Sequence, residues 1–171
     1  MSAMIQKNHE QTVDEQELWT NGISAKDWAG TIKSGKSVFS DLYVDTRNQV
    51  IRHCKEGNYD CIIDVGCGTG EIVGELKDLN VPLFGMDINP DFIKMCKDVY
   101  GSAVDWEVAN ACELQKWWSE KQAKAGKKFS KPYVMCCNNT MGIMPEEIRG
   151  TVVHEMMAVA GSQGKCLVTY W

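Results

Sequence analysis

From Tyr59 onward, short apolar runs alternate with longer segments that have the periodicity of helices. The apolar runs, each typical of a buried strand, are YDCIIDV, VPLFGMD, VDWEVA, PYVMCCN and KCLVTYW. The segments between them predict helices over Glu71–Leu79, Pro90–Tyr100, Cys112–Ala125 and Pro145–Ala160. Strands buried on both faces read as continuous apolar runs, and a helix between parallel strands imposes a right-handed crossover. The sequence therefore predicts an α/β fold with a doubly wound, mostly parallel sheet.

The first 56 residues have a different pattern, with amphipathic, aromatic segments and no alternating apolar runs. They predict helices over Gln11–Trp19, Ala25–Lys33 and Ser40–Lys55. We expect residues 1–56 to form a helical cap or substrate lid, and residues 57–171 to form the sheet domain. A chain of 171 residues has the length of one domain and is long enough for a sizeable core.

Composition and charge exclude several classes of protein. The chain is 44% apolar and 24% charged, which is typical of folded globular proteins and not of disordered chains. A net charge of −5 argues against a surface for nucleic acid. No apolar stretch reaches the roughly 18 residues of a membrane span, and the N-terminus lacks the apolar core of a signal peptide. We therefore expect a cytoplasmic protein that binds neither nucleic acid nor membrane.

The eight cysteines and three histidines do not predict a metal site. No Cys-x-x-Cys pair occurs, and no histidine has a ligand-like spacing. Cys61, Cys136, Cys137 and Cys166 lie within apolar runs, which is typical of reduced, buried thiols. Five lysines are predicted to form a solvent-exposed surface: Lys121, Lys124, Lys127, Lys128 and Lys131.

Three glycines at alternate positions follow the first predicted strand: Gly66, Gly68 and Gly70. Glycine permits positive φ and lets a ligand approach the backbone where a Cβ would block it. A dinucleotide-binding loop needs a glycine three residues after Gly68, and Glu71 stands there. A carboxylate at that position disfavours a pyrophosphate, but it is compatible with a ligand that has an amino acid group and a sulfonium.

An acidic residue follows the second predicted strand. Asp87 stands seventeen residues beyond Gly70, where a carboxylate can accept hydrogen bonds from both hydroxyls of an adenosine ribose. Asn110 and Ala111 follow the third strand and offer an amide side chain and backbone N–H groups to an adenine edge. Because ligands of such sheets bind at the carboxyl ends of the strands, these residues predict a nucleoside site.

These residues lie in four segments that resemble motifs I to IV of the class I S-adenosylmethionine-dependent methyltransferases. The segments are DCIIDVGCGTGEIV, LFGMDINPDFI, WEVANACEL and YVMCCNNTMG, and the resemblance covers about residues 59 to 171. It implies a Rossmann-like fold, with S-adenosylmethionine as cofactor, S-adenosylhomocysteine as product and no metal. The cofactor-binding residues that it implies are Asp64, Gly66, Cys67, Gly68, Gly70, Asp87, Ile88, Asn110, Ala111 and Asn138.

The resemblance also implies a role for each part of this set. The glycines hold the amino acid end of the cofactor with Asp64 beside them, and Asp87 binds the ribose. Asn110 and Ala111 lie at the adenine, where the family more often has aspartate in place of Asn110. Asn138 either orients the acceptor or the cofactor amino group, or is a turn residue that caps the end of the fourth strand.

Sequence and resemblance together predict transfer of a methyl group to a nitrogen, sulfur or oxygen atom of a small molecule. Asn138 is not followed by the Pro-Pro-aromatic sequence of methylases that modify nucleic-acid bases. Methyl transfer depends on proximity in a dry pocket, and we assign no catalytic residue. The alternatives are an NAD-type oxidoreductase and a non-catalytic methyltransferase-like module for binding or dimerisation.

Candidate contacts to the acceptor are Trp28, Tyr43, Arg47 and Asn139. Aromatic faces favour a cationic amine or sulfonium, although aromatic residues at helical spacing are also typical of a core. Arg47 either binds an acceptor carboxylate or forms an ordinary ion pair with Asp41 or another acid.

The resemblance implies a sheet of seven strands, and the sequence predicts five, so the last two are expected to be missing. An apolar edge strand without a neighbour favours association. We therefore expect KCLVTYW to form an exposed edge, and the chain to be a fragment or to form a homodimer through that edge.

Overall fold

The computed structural model describes residues 24–33 and 38–170, and the helix predicted over Gln11–Trp19 lies outside them. The centre of the fold is a parallel sheet. Its strands are β1 (Cys61–Val65), β2 (Leu83–Asp87), β3 (Asp105–Val108), β4 (Pro132–Cys136) and β5 (Lys165–Val168). They lie in the order β3-β2-β1-β4-β5, so the chain starts in the middle, winds to one edge and then to the other. The predicted α/β fold with a doubly wound parallel sheet is confirmed.

Helices precede the sheet and connect its strands. The α-helices are α1 (Ala25–Lys33), α2 (Val38–Glu56), α3 (Pro90–Tyr100), α4 (Leu114–Ala125), α5 (Thr140–Ile143) and α6 (Glu146–Ala160). Short 3₁₀ turns lie at Val73–Leu76, Gly101–Ala103 and Ala111–Glu113. Asn89 begins α3 as its N-cap, because its side chain accepts hydrogen bonds from the N–H groups of Asp91 and Phe92.

Two apolar clusters cover the two faces of the sheet. Successive residues of β1 point to opposite faces, so Ile62 and Ile63 belong to different clusters. On one face, Phe84 packs edge-on against Trp118 of α4, with ring centres 5.2 Å apart. On the other face, α2 contributes the buried side chain of Val50. Every residue of β1, β2 and β4 is buried, whereas β3 and β5 at the edges are partly exposed.

The predicted helix over Glu71–Leu79 is wrong, because only Val73–Leu76 form a helical segment, and it is a 3₁₀ turn. The ring of Tyr100 packs against Gly74, where a Cβ would lie 2.5 Å from Cε1 of that ring. Glycine also has a low helix propensity because it loses the most backbone freedom. A contact with a distant residue therefore sets the shape of this segment.

Lys121 does not belong to the exposed surface predicted for the lysine run. Its side chain is 8% exposed, and Nζ lies 2.8 Å from Oδ2 of Asp105 and 2.6 Å from Oε2 of Glu107. The same ammonium lies 5.4 Å from the ring centre of Trp117. The prediction is wrong for Lys121 because two acidic residues of β3 pair with it; the next three lysines along the chain are exposed.

Candidate functional site

The segment that follows β1 places three glycines in the left-handed region at the end of the central strand. Gly66, Gly68 and Gly70, which we call the glycine loop (66–70), have φ values of 68°, 54° and 83°. The N–H groups of Gly66 and Cys67 both donate to Met86 O of β2, at 2.8 and 2.9 Å. Side chains at these positions would be strained. The glycine loop is therefore held to β2 and presents bare backbone at the carboxyl end of the sheet.

Asp87, the last residue of β2, connects the glycine loop to the start of α3. Its Oδ2 accepts a hydrogen bond from Gly68 N–H, and its Oδ1 accepts one from Asn89 N–H, both at 2.9 Å. Burial raises the pKa of Asp87, and hydrogen bonds from backbone N–H groups, including that of Ile88, oppose the shift. Each carboxylate oxygen has a second lone pair, so Asp87 can also accept a hydrogen bond from a ligand.

Asp64 lies in β1, close to Asp87, and is almost completely buried. Burial, followed by the negative charges of Asp87 and Glu71, raises the pKa of Asp64 to about 8. A hydrogen bond from Val73 N–H opposes this shift. The carboxyl is therefore mostly protonated at pH 7 and would ionise beside a bound cation.

Three side chains pack against the glycine loop at Gly70: Trp106 of β3, and Cys96 and Tyr100 of α3. A Cβ on Gly70 would lie 2.8 Å from Cη2 of Trp106 and 3.0 Å from Sγ of Cys96. The thiol of Cys96 also donates to Gly68 O at 3.3 Å. The sequence analysis assigned none of these side chains a role, because nothing local to them indicates that they lie under a loop.

The predicted adenine contacts lie at the end of β3. Ala109 N–H donates to Asp87 O at 3.0 Å, which places the ends of β2 and β3 side by side. Asn110 is exposed, and its Oδ1 accepts a hydrogen bond from Cys112 N–H at 2.9 Å. This bond caps the 3₁₀ turn that starts at Ala111, and it leaves Nδ2 of Asn110 as a donor for a ligand.

The segment after β4 contains two consecutive asparagines in the left-handed region. Asn138 and Asn139 have φ values of 56° and 63°, which is uncommon for residues with a Cβ. The N–H of Asn138 donates to Oγ1 of Thr169, just after β5, at 2.8 Å. The Oδ1 of Asn138 is buried without a hydrogen-bond partner among the residues described. Unusual backbone and an unpaired buried acceptor are both typical of a ligand-binding segment.

Thr140 links this segment to the glycine loop. Its hydroxyl donates to Cys137 O at 2.8 Å and lies 3.3 Å from Gly66 O. Neither Thr140 nor Thr169 was predicted to have a role. Thr140 is a hydroxyl residue shortly after a predicted strand, and Thr169 lies within the predicted strand KCLVTYW, where nothing distinguishes it.

Two predicted acceptor contacts reach the same end of the sheet from α1 and α2. Nε1 of Trp28 lies 3.7 Å from the position that a Cβ on Gly68 would occupy. Burial, followed by the charge of Glu71, raises the pKa of Tyr43 far above its usual value, and a hydrogen bond with Asn138 opposes the shift. The two aromatic side chains therefore lie near the glycine loop and near Asn138.

Arg47 lies one helical turn after Tyr43. Its positive charge acts to lower the pKa of both Tyr43 and Tyr100, against the larger effect of burial. Its Nε is buried without a hydrogen-bond partner in the described part of the chain, where no ion pair with Asp41 is present. A buried donor without an acceptor is costly, and an anionic ligand would satisfy it.

Within residues 24–33 and 38–170, no group of three His, Cys, Asp or Glu side chains is placed to hold a metal ion. None of the helices in these ranges is both long and apolar enough to cross a membrane. All eight cysteines are unpaired.

The sequence was also compared with known protein families. A sequence model of the methyltransferase domain family matches residues 62–164, which is more than half of the chain. The chain belongs to the methyltransferase domain family. The matched part of this methyltransferase domain begins in β1 and ends before β5, so it includes the glycine loop, Asp87 and Asn138. The predicted resemblance to class I methyltransferases is confirmed.

Solved structures share the fold of this methyltransferase domain. A TehB-like S-adenosylmethionine-dependent methyltransferase from Corynebacterium glutamicum is 19% identical with a TM-score of 0.59, and the match covers 84% of this chain and 71% of that one. DesVI from Streptomyces venezuelae is 15% identical with a TM-score of 0.62, and the match covers 87% and 58%. Magnesium protoporphyrin IX methyltransferase from Synechocystis is 16% identical with a TM-score of 0.58, and the match covers 88% and 74%. This chain therefore spans between about half and three quarters of these proteins. No match was found among curated proteins.

Proposed function

We propose that this methyltransferase domain transfers a methyl group from S-adenosylmethionine to a nitrogen, sulfur or oxygen atom of a small molecule. The observation that supports this most directly is Asp87, whose carboxylate joins the glycine loop to the end of β2 through Gly68 N–H. The family match favours methyl transfer over an NAD-type oxidoreductase. Among the structural neighbours, the Synechocystis enzyme contains bound S-adenosylmethionine, and KedS8 from a Streptoalloteichus species is a sugar N-methyltransferase.

The residues at the strand ends fit an S-adenosyl cofactor. Asp87 would accept hydrogen bonds from the ribose hydroxyls, and Asn110 and Ala111 would face the adenine edge. The unpaired Oδ1 of Asn138 and the buried carboxyl of Asp64 would face the positive charges of the cofactor. When bound, the cofactor supplies an electrophilic methyl group on a positively charged sulfur.

The remaining contacts to the cofactor would come from backbone. The glycine loop lacks side chains that would block the approach of the amino acid end, because its three glycines have positive φ values that disfavour residues with a Cβ. Cys67 and Ile88 would contribute through their positions in the chain next to Gly68 and Asp87. Backbone groups would therefore contact the amino acid end together with the side chains of Asp64 and Asn138, and the side chains of Asp87 and Asn110 would contact the nucleoside end.

On the acceptor side, we assign the task of excluding water to α1 and α2, which are the described part of the expected helical cap. Trp28 and Tyr43 would cover the reacting end of the site, and Asn139 would face the acceptor. Arg47 would bind a carboxylate of the acceptor, because its buried Nε lacks a partner in the described part of the chain. Methyl transfer gains most of its rate from proximity and orientation, so these side chains would act by holding the acceptor.

We place this activity in the cytoplasm, because the eight cysteines are unpaired and thiols stay reduced there. The acceptor is proposed to be a small molecule, with no nucleic acid or membrane involved. We also propose that the reaction uses no metal. A chelator should then leave methyl transfer unchanged.

Isothermal titration calorimetry with S-adenosylmethionine and S-adenosylhomocysteine tests the proposal directly. We expect both to bind the wild-type protein. Asp87→Ala should weaken binding about 100-fold, because it removes a charged acceptor worth about 3 kcal/mol. Asp98→Ala is the matched control, since it removes one carboxylate from an exposed ion pair with Lys94.

Several outcomes would redirect the assignment. If neither ligand binds, the proposed function is wrong, and if Asp87→Ala binds as well as Asp98→Ala, the ribose assignment is wrong. Tight binding of NADH, measured by nicotinamide fluorescence, would favour an oxidoreductase. Binding of S-adenosylhomocysteine without transfer of labelled methyl to any metabolite in a screen would favour a non-catalytic module.

A further inference from the structure

The glycine loop and the segment after β4 meet at one side chain, that of Thr140. We call residues 137–139 the asparagine loop; Thr140 follows it as the first residue of α5. The Thr140 hydroxyl donates to Cys137 O at 2.8 Å and lies 3.3 Å from Gly66 O. Both carbonyl oxygens lie within hydrogen-bond distance of the hydroxyl, so its one proton is shared between its own loop and the glycine loop.

The methyl group of Thr140 packs at the same junction. Gly66 has a φ of 68°, and a Cβ placed on it would overlap Cγ2 of Thr140. The methyl and the hydroxyl share one carbon, so the methyl cannot rotate away without breaking the hydroxyl's hydrogen bond. Gly66 therefore approaches Thr140 more closely than any other residue type could.

The two loops are otherwise anchored to different strands. The N–H of Gly66 donates to Met86 O in β2 at 2.8 Å. The N–H of Asn138 donates to Oγ1 of Thr169 after β5, also at 2.8 Å. Thr140 thus spans the gap between a loop anchored on one side of β1 and a loop anchored on the other.

We propose that Thr140 is a positioning residue that couples the two loops. Its methyl group sets how closely they approach, and its hydroxyl holds them at that separation. The inference rests on the proposed function, in which the glycine loop binds the methyl donor, and the asparagine loop faces the donor through Asn138 and the acceptor through Asn139. Because methyl transfer depends on the separation of the reacting atoms, a residue that fixes the two loops would control the reaction without touching those atoms.

Two substitutions separate the two parts of this role. Thr140→Ser keeps the hydroxyl and removes the methyl, whereas Thr140→Val keeps a methyl and removes the hydroxyl. Each is combined with Gly66→Ala, and unfolding in urea is followed by circular dichroism. Gly66→Ala should raise the unfolding equilibrium constant of the protein with Thr140. We expect this increase to be at least about tenfold smaller in the Thr140→Ser background and unchanged in the Thr140→Val background. Equal penalties in all three backgrounds would overturn the inference.

Ligand binding distinguishes positioning from a purely structural role. With Gly66 retained, Thr140→Val should weaken the binding of S-adenosylhomocysteine about two- to tenfold, because the loss of one neutral hydrogen bond has an effect of about this size. For the same variant, adenosine, which probes the Asp87 end, should bind within about twofold of wild type. Thr140→Ser, which keeps the hydroxyl, should weaken binding of S-adenosylhomocysteine less than Thr140→Val does. If Thr140→Val weakens both ligands equally, or neither, the positioning role is refuted. If wild type fails to bind S-adenosylhomocysteine, the proposed function falls, while the unfolding measurements still decide whether Thr140 couples the loops.

Discussion

The affinity of the protein for S-adenosylmethionine should rise with pH because of Asp64. This carboxyl is buried in β1, and burial, followed by the charges of Asp87 and Glu71, raises its pKa to about 8. In the free protein it is therefore mostly neutral at pH 7. A ligand with an ammonium and a sulfonium group binds the ionised form better, so binding at pH 7 requires Asp64 to lose its proton.

The size of this effect follows from the pKa. A carboxyl with a pKa of about 8 is about 90% protonated at pH 7. If the bound cation keeps Asp64 ionised, the ratio of wild-type affinity to Asp64→Asn affinity rises about tenfold between pH 7 and pH 9, and binding at pH 7 releases nearly one proton from this carboxyl. Asp64→Asn should remove this release, because the amide cannot ionise.

The same shift predicts the stability of the free protein. The pKa of Asp64 is higher in the folded state than the ordinary value of 3.8, so the folded protein binds more protons between pH 4 and pH 8. The free energy of unfolding should therefore fall as pH rises from 4 to 8, by a total on the order of 5 kcal/mol. Asp64→Asn should be more stable than wild type at pH 8.5 and similar to it at pH 4.5, as measured by unfolding in urea.

The binding assay is calorimetry from pH 6.5 to pH 9 in two buffers that differ in ionisation enthalpy. The amino group of the ligand also titrates near pH 8, and Asp64→Asn controls for it because both proteins bind the same ligand. Asp87, Glu71, Tyr43 and Arg47 face the site in both proteins. Identical pH profiles and identical proton counts for wild type and Asp64→Asn would refute the assignment of Asp64.

Three further predictions concern other parts of the molecule. Arg47→Met should lower turnover of carboxylated acceptors about 10- to 100-fold, and of matched acceptors without a carboxylate much less; equal losses in a labelled-methyl assay would contradict the role of Arg47. Lys121→Met should lower the free energy of unfolding in urea by about 1–2 kcal/mol, since it leaves Asp105 and Glu107 unpaired beside each other; unchanged stability would show that the pair contributes nothing. The outer edge of β5 pairs with no strand among the residues described, so the 171-residue chain should self-associate or be poorly stable, and a stable monomer by light scattering and thermal melting would contradict this.

The fold was predictable from sequence because its determinants are local. Each strand is a short apolar run, the crossovers after β2, β3 and β4 have helical periodicity and form helices, and the connection rules leave few other topologies. The N-cap at Asn89 and the positive φ of Gly66, Gly68 and Gly70 depend on residue types that are selective for those conformations. The roles assigned to the site residues stay predictions until ligand binding is measured.

The errors arose where a distant residue decides the outcome. The segment Val73–Leu76 tightens into a 3₁₀ turn because the ring of Tyr100, more than twenty residues later, packs against Gly74. Lys121 looks like part of an exposed run, but β3 places two acidic side chains next to it. Neither contact leaves a signal in the sequence near the residue that it affects.

The same distinction separates the two halves of the proposed site. The cofactor half is built from glycines and strand-end residues, whose geometry is set by the backbone next to them in the chain. The proposed acceptor half combines Trp28, Tyr43 and Arg47 with Asn139, so its shape depends on how α1 and α2 pack over the sheet. Cofactor chemistry could therefore be inferred from a motif, whereas the acceptor could not. It follows that substitutions in α2 should change which acceptors are methylated while affinity for S-adenosylhomocysteine stays near that of wild type.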